Sequence, residues 1–216
     1  MIVILKVKYQ NLLNCMIFKT HFLYYFKMET VSLPEPKAKG KISVEESLFK
    51  RRSYRKFTAE NLSTDEISQL LWAAYGRNKY CKVVPSAGAI YPFEIYINRG
   101  DGIYEYKSDR HAILKFVEGD KSMELYYACS QQRCIKDAKA IIILAVNYEK
   151  IKVRYGDRGI MYAHFEAGHI AQNICLEAEA LNLGSVCIGA FNEKEVENIL
   201  NLQNLKATYM ICVGKI

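Results

Sequence analysis

The sequence predicts an α+β fold, in which helices and hairpin strands are intermixed. Two observations carry this prediction: amphipathic helices and alternating strands follow one another without a regular βαβ repeat, and the continuous apolar run Ala140–Val146 is typical of a central strand. A chain of 216 residues, 50% of them apolar, can also bury one sizeable core. One domain is therefore the default organisation.

Two helices are predicted to begin at serine N-caps in the first third of the chain. Ser43 with Glu46, and Ser63 with Glu66, each match the spacing of a capping box. The apolar members of the two helices have helical spacing: Val44, Leu48 and Phe49 in the first, and Ile67, Leu70, Leu71 and Ala74 in the second. Gly76 supplies a C-terminal stop for the second helix.

Six strands and three more helices are predicted for the rest of the chain. The strands cover Phe93–Asn98, Ile103–Tyr106, Ala112–Val117, Ala140–Val146, Ser185–Ala190 and Thr208–Val213, with Gly100–Gly102 as the first turn. The helices cover 121–134, Asp157–Leu181 and Glu193–Leu200, with Gly184 ending the long helix. Phe165, Gly168, Gln172, Cys175 and Ala178 share a face of this long helix, where small residues permit close packing.

Residues 1–27 differ in composition from the rest of the chain. They contain four lysines and no acidic residue, so the net charge of +7 leaves +7 − 4 = +3 for residues 28–216. Lysines interrupt the apolar stretch, which leaves no run near the roughly 20 residues that a membrane span requires, and no signal-peptide cleavage site is present. We expect Met28 to be the natural start, residues 28–216 to form a single domain, and residues 1–27 to be an extension outside the native fold.

The charge and the cysteines narrow the functional classes. No basic stripe with interleaved aromatic residues and no nucleic-acid-binding motif is present, which excludes nucleic acid as the expected partner. The seven cysteines form no CxxC pair and have irregular spacing, so neither a zinc site nor a disulfide framework is predicted. Buried free thiols in a reducing cytosol are the favoured interpretation, and the predicted location is the cytoplasm.

A cluster of basic residues at Arg51–Lys56 is the first candidate site. Guanidinium groups bind phosphate through paired donors, and spacings of three and four residues would place Arg51, Arg52 and Arg55 near one helical face. The alternative is a basic helix end that complements the helix dipole. On this segment alone, the alternative is favoured.

Two further segments are weaker candidates. The small residues of Pro85–Ala89 would let backbone approach a flat ring, and Gly189–Ala190 could present backbone N–H groups at a strand end. For Pro85–Ala89, an ordinary tight loop between a helix and a strand is the favoured alternative, and Gly189–Ala190 alone is a weak signal. His164 and His169 are five residues apart, about 140° around a helix, so a metal site is not predicted there.

These segments occur together in a familiar order. The runs RRSYRKF, LSTDEISQLLWAAYG, PSAGAIYPFEIYI, YGDRG and EAGHIAQNICLEAEALNLGSVCIGAF resemble the nitroreductase superfamily, and specifically its SagB-type dehydrogenase branch, from about Leu33 to Gly214. The resemblance implies an α+β sandwich with a central, mostly antiparallel sheet flanked by helices. It also implies an obligate homodimer with two FMN sites at the dimer interface.

The resemblance assigns roles to residues by their position in these runs. It implies contacts to the FMN phosphate, ribityl chain and pyrimidine edge from Arg51, Arg52, Ser53 and Arg55. It implies that Pro85, Ser86 and Ala87 of the other subunit reach the flavin. Gln131 would be a polar contact of the ribityl chain or ring, and Gly189 and Ala190 would lie beside flavin N5. Many relatives have Asn where this chain has Ala89, and a longer C-terminal segment with basic phosphate ligands, for which Lys215 could substitute.

The implied function is that of an FMN-dependent oxidoreductase. It would transfer hydride from NAD(P)H, through flavin N5, to a nitroaromatic, a quinone or a similar flat small molecule. One alternative is an azoline dehydrogenase in peptide modification, where a Lys-Tyr pair lies near the flavin. Arg154 and Tyr155 are the nearest match here, and Tyr155 is the catalytic candidate. Arginine cannot act as a base near neutral pH, which counts against proton abstraction from an azoline ring. The other alternative is a flavin-binding protein without turnover.

Overall fold

A seven-stranded sheet runs through the structure, a computed structural model that describes residues 29–216. The strands are β1 (Thr30–Ser32), β2 (Phe93–Asn98), β3 (Gly102–Lys107), β4 (Ala112–Glu118), β5 (Ala140–Val146), β6 (Leu183–Ile188) and β7 (Lys206–Lys215). Their order in the sheet is β1-β4-β3-β2-β5-β7-β6. Every pairing among β2 to β7 is antiparallel.

Seven helices connect and cover these strands within the described residues. They are α1 (Val44–Lys50), α2 (Thr64–Tyr75), α3 (Ser122–Ala128), α4 (Arg133–Asp137), α5 (Tyr148–Tyr155), α6 (Arg158–Ala180) and α7 (Glu193–Ile199), with a 3₁₀ turn at Ala87–Ala89. Residues 31–216 form one compact unit. The expectation that Met28 starts the native chain, and that residues 1–27 lie outside the fold, falls on residues outside the described range.

Strand β5 lies between β2 and β7, and every one of its residues is buried. Alternate side chains enter two separate cores: Ile142 and Leu144 face one core, whereas Ile141 and Ile143 face the other. A strand that is covered on both faces has no polar positions, so its sequence is a continuous apolar run. The prediction of a central strand at Ala140–Val146 is confirmed.

Helices cover the sheet on both faces. Helices α2 and α6 supply Leu70, Leu71 and Ile170 to the first core. Helices α3, α4 and α7 supply Leu125, Ile135 and Val196 to the second. The arrangement confirms the predicted α+β sandwich. No helix among residues 29–216 combines the length and the apolar character that crossing a bilayer requires.

Two helix predictions are wrong in detail. The single helix predicted over 121–134 is two helices, because Ser130 and Gln131 adopt positive φ angles of 54° and 57° and break the hydrogen-bonding pattern. Gly184 does not end α6, since Leu181 caps the helix and Asn182 makes the left-handed turn with φ of 56°. Helix α5 and strand β1 were not predicted.

The surface helix α1 has an unusual exposure pattern. Ser43 accepts the backbone N–H of Glu46, but Glu46 pairs with Lys50 rather than returning to the N-cap, so the predicted capping box is half formed. Its apolar residues face outwards, with exposed fractions of 64% for Val44, 54% for Leu48 and 91% for Phe49.

The face predicted for α6 is also partly exposed. Phe165, Gly168 and Gln172 face outwards, whereas Cys175 and Ala178 are buried. The buried stripe instead follows Ala163, Ala167, Ile170, Ala171 and Ile174. Both α1 and α6 therefore leave apolar side chains uncovered.

Candidate functional site

The arginine segment is extended and lies along the edge of the sheet. Helix α1 ends at Lys50, so the prediction that Arg51, Arg52 and Arg55 share a helical face is wrong. Ser53 instead forms a parallel bridge with Ser185 of β6. The backbone N–H of Tyr54 donates to the carbonyl oxygen of Ser185 over 2.9 Å.

Two glycines let this segment approach the sheet. A Cβ atom on Gly184 would lie 2.8 Å from Cβ of Tyr54, and one on Gly214 would lie 2.8 Å from the Phe57 ring. Both distances are shorter than real carbon contacts, so a larger residue at either glycine would displace the segment. The backbone of the neighbouring strands thus fixes where the arginines lie.

The three guanidinium groups are available to an anion. Within residues 29–216, none of Arg51, Arg52 and Arg55 takes part in an ion pair. Arg52 lies over the Tyr54 ring, with its Cζ atom 4.6 Å from the ring centroid. Arg51 is half-buried, and Arg52, Ser53 and Arg55 are exposed. Such a group of donors suits a phosphate.

The loop Pro85–Tyr91 is the second part of the site and is held in a constrained conformation. The Ser86 hydroxyl accepts the backbone N–H of Tyr91 over 2.9 Å. Gly88, Ala89 and Tyr91 adopt positive φ angles of 59°, 53° and 51°. Ala87, in the 3₁₀ turn, is partly buried.

Side chains of α5 fix this loop from one side. Arg154 Nη1 donates to the carbonyl oxygen of Gly88 over 3.4 Å, and Lys150 Nζ donates to that of Tyr91 over 2.8 Å. A Cβ atom on Gly88 would lie 2.6 Å from the Tyr155 hydroxyl oxygen. The structure thus brings Tyr155, the predicted catalytic residue, together with the predicted loop.

A buried carboxyl lies beneath the loop. Glu166 of α6 is 1% exposed, and Tyr75 donates its hydroxyl hydrogen to Glu166 Oε1 over 2.7 Å. Burial raises the pKa of Glu166, against the lowering effect of the Ser86 and Tyr75 hydroxyls. Of the two histidines near it on α6, His164 contacts Tyr148, and His169 Nδ1 lies 3.4 Å from the carbonyl oxygen of Pro85.

The segment after β6 is exposed and contacts the break between α3 and α4. Gly189 and Ala190 follow the end of β6 at Ile188, rather than belonging to the strand as predicted. Gln132 Nε2 donates to the carbonyl oxygen of Ala190 over 2.8 Å. Gln131, the predicted ligand, is exposed beside it. The sequence reasoning missed Gln132, and no sequence pattern distinguishes the two adjacent glutamines.

Lys215 is paired within the chain. Its Nζ atom lies 2.8 Å from Glu66 Oε1 and 3.6 Å from Glu60 Oε1. The Glu66 hydrogen bond raises the pKa of Lys215. A phosphate contact from Lys215, as predicted, would have to compete with these two carboxylates.

Comparison with known proteins agrees with this architecture. The sequence profile of the Nitroreductase family matches residues 48–215. That range holds the whole arginine segment, the loop and the strands β2 to β7. A candidate nitroreductase of Methanocaldococcus jannaschii is 42% identical over 170 residues, which are 75% of this chain and 86% of the relative.

The chain belongs to the nitroreductase family. It is accordingly an oxidoreductase of the nitroreductase type. Assignment to the SagB-type branch stays a prediction.

Solved structures show the same nitroreductase fold. A candidate nitroreductase of Ralstonia eutropha superposes with a TM-score of 0.79 at 23% identity, over 86% of this chain and 89% of that one. A candidate nitroreductase of Desulfovibrio desulfuricans, solved in complex with FMN, superposes with a TM-score of 0.61 at 22% identity, over 81% and 86% of the two chains.

Proposed function

We propose that this nitroreductase is FMN-dependent and transfers hydride from NAD(P)H, through flavin N5, to a nitroaromatic, a quinone or a similar flat acceptor. One observation carries the proposal: three arginines within five residues, free of ion pairs in the described part of the chain, are held against β6. Guanidinium groups in this arrangement suit the phosphate of a mononucleotide. The FMN that the Desulfovibrio relative binds supports the same cofactor.

The chemistry of the remaining residues fits the flat part of FMN. The loop residues Ala87, Gly88 and Ala89 are small, so the backbone can approach a ring closely. Among the residues that the structure describes, a Cβ atom on Gly189 would come within 4 Å of the Tyr209 ring alone, at 3.8 Å. That leaves room beside the exposed Gly189–Ala190 backbone.

We propose that the site is completed by a second subunit. No hydrogen bond joins the arginine segment to the loop Pro85–Tyr91 within residues 29–216. The exposed apolar residues of α1 directly precede the arginines in sequence, and Phe165 of the neighbouring helix α6 is also exposed. Large uncovered apolar residues of this kind mark interaction surfaces. A homodimer through α1 and α6 would cover them.

The residues of the chain would act on binding and orientation. FMN, when bound, would supply hydride exchange at its N5 atom. Arg51, Arg52 and Arg55 would hold the phosphate and favour negative charge nearby, and the backbone N–H groups of Gly189–Ala190 would orient the ring edge. Hydride transfer needs no protein acid or base. Tyr155 is therefore proposed to position the loop at Gly88. In the azoline alternative, Tyr155 would instead take part in proton transfer.

The visible spectrum of the purified protein tests the proposal. We expect a bound-flavin spectrum that bleaches on anaerobic addition of NAD(P)H. Arg52→Gln and Arg55→Gln should each weaken FMN binding by about 10- to 100-fold, since hydrogen bonds to charged groups contribute about 1.5–3 kcal/mol. Arg133→Gln is the control, because Arg133 is an exposed arginine on α4 paired with Asp137.

The possible results separate the alternatives. A colourless protein to which added FMN gives neither binding nor NAD(P)H oxidation would overturn the proposal. Stoichiometric FMN without accelerated NAD(P)H oxidation would favour a flavin-binding protein without turnover. Loss of azoline oxidation in Tyr155→Phe, with NAD(P)H oxidation retained, would favour the azoline dehydrogenase.

A further inference from the structure

Two cysteines meet behind the arginine segment. Cys175 of α6 and Cys187 of β6 place their Sγ atoms 3.6 Å apart. Cys175 is buried, whereas Cys187 is partly exposed. The two residues lie in different elements, which the turn at Asn182 connects. The fold therefore brings the two cysteines together, and no CxxC motif in the sequence indicates their contact.

We propose that Cys175 and Cys187 form a reversible dithiol–disulfide site, oxidised by hydrogen peroxide. Cys187 is the attacking thiol because it is the accessible one, and Cys175 is the resolving thiol because it lies in contact behind it. Closing an S–S bond of about 2.05 Å from this separation requires a shift of only about 1.5 Å.

The surroundings of Cys187 favour its thiolate. The contact with Cys175 lowers the pKa of Cys187, with the Tyr209 hydroxyl and the Arg51 guanidinium acting in the same direction and burial acting against them. The same contact and burial raise the pKa of Cys175. A reactive cysteine of this kind typically has a low pKa, access to solvent and a resolving cysteine beside it.

The oxidation proceeds in two balanced steps. The Cys187 thiolate attacks one oxygen of hydrogen peroxide, the O–O bond breaks, and the released hydroxide takes a proton to become water while Cys187 becomes a sulfenic acid. The Cys175 sulfur then attacks the Cys187 sulfur and forms the S–S bond. The S–O bond breaks, and the hydroxide that leaves takes the Cys175 proton as a second water. Two thiols lose two electrons in total, and one peroxide is reduced to two waters.

Thiol mapping by mass spectrometry tests this proposal on the full-length protein. The reduced protein is treated with hydrogen peroxide, alkylated under denaturing conditions and digested. We expect a peptide pair joined through Cys175 and Cys187, lighter by two hydrogens than the reduced pair, that a dithiol reductant separates. Cys81, which is exposed, serves as an internal reference for unpaired oxidation.

Substitutions separate the two roles. Cys175→Ser should leave a sulfenic acid at Cys187 that dimedone traps, whereas Cys187→Ser should leave Cys175 reduced. Cys129→Ser, a buried thiol elsewhere, should leave the cross-link unchanged. Full alkylation of both cysteines in the treated wild-type protein, or a cross-link from Cys187 to another cysteine, would overturn the proposal. Thiol mapping does not depend on bound flavin. The absence of a cross-link would therefore leave the flavin proposal unaffected, and a protein that binds no flavin would leave the dithiol proposal unaffected.

Discussion

Gly88 lies where the loop Pro85–Tyr91 contacts Arg154 and Tyr155 at the end of α5. Its φ angle of 59° is in the left-handed region, which favours glycine. A Cβ atom there would lie 2.6 Å from the Tyr155 hydroxyl oxygen and 2.7 Å from Arg154 Nη1. The backbone conformation therefore favours a glycine, and a larger residue would displace the ends of these two side chains or the loop itself.

Gly88→Ala is expected to destabilise the fold by about 1–3 kcal/mol, since a strained φ and a steric contact add. It should also weaken FMN binding, because the loop must move away from Tyr155. Gly119→Ala is the matched control: Gly119 has a φ of 78°, but no atom of residues 29–216 would lie within 4 Å of a Cβ atom there. Chemical denaturation and FMN titration measure both effects. Equal losses of stability in the two variants would show that the contact with Tyr155 and Arg154 is unimportant.

Glu166 makes the stability of the protein depend on pH. Its raised pKa means that the folded state binds a proton more tightly than the unfolded chain does. The stabilising contribution of protonation is complete below the pKa that the carboxyl has in the unfolded chain. It is lost as pH rises through the pKa that the carboxyl has in the folded protein. A neutral glutamine cannot show this loss.

Glu166→Gln should therefore gain stability relative to the wild type as pH rises from about 4.5, the ordinary pKa of this carboxyl, towards neutral. The gain is about 1.4 kcal/mol for each tenfold difference in proton affinity between the folded and the unfolded state. Denaturation midpoints across this range measure it. Tyr75→Phe is the complementary variant, because removing the hydroxyl that donates to Glu166 raises its pKa further and should steepen the pH dependence. A constant difference between Glu166→Gln and the wild type would contradict this role of the carboxyl.

At the scale of the elements, α2 shows how local sequence determines a helix. Ser63 accepts the backbone N–H of Glu66 over 3.2 Å, and Glu66 accepts that of Ser63 over 2.7 Å, so the capping box is complete. Glu66 also binds Lys215, which ties the start of α2 to the end of β7.

Ser63→Ala is expected to cost about 1 kcal/mol and to lower Tm by about 2–4 °C for a chain of this size. Ser43→Ala on α1 is the comparison, since α1 is short, exposed and only half capped. It should have a smaller effect on the Tm measured by thermal unfolding. An equal or larger effect of Ser43→Ala would contradict the importance assigned to the complete box.

Much of the element structure could be predicted because local pattern determines it. Strands β2 and β5 have the predicted limits, and the helices after Ser43 and Ser63 begin where their caps stand. The break at Ser130 and Gln131 could not be predicted, since neither residue is a glycine or a proline. Helix α5 was missed because its polar sequence has only Ile151 fully buried, so no apolar periodicity marks it.

The candidate site is less predictable than the fold because tertiary contacts create it. The arginines were expected on a helix, but Ser185 and the glycines beneath Tyr54 and Phe57 draw them into an extended segment. The contact of Gln132 with Ala190 also joins parts of the chain 58 residues apart. Local spacing carries no information on such pairs. The order of the motifs along the chain identified the family where each motif alone did not.

At the scale of the whole molecule, the exposed face of α1 predicts the oligomeric state. Phe49→Asp should convert the proposed dimer to monomers, since burying a phenylalanine contributes about 1.5–3 kcal/mol and a two-fold interface loses two of them. FMN binding should be lost with it. Tyr80→Asp is the control, because Tyr80 is 78% exposed on a loop remote from α1 in sequence. Light scattering measures the mass, and a monomeric wild type or a dimeric Phe49→Asp protein would contradict the assignment.

The arginine segment of one subunit and the loop of the other are proposed to form one FMN site. Co-expression of two defective chains tests this. One chain carries both Arg52→Gln and Arg55→Gln, the other carries Ala87→Glu, and different tags allow the heterodimer to be purified. Such a heterodimer has one site with both halves intact and one with both altered. We expect one FMN for each heterodimer, while neither homodimer binds it. A heterodimer that binds no more FMN than the two homodimers would contradict the shared site.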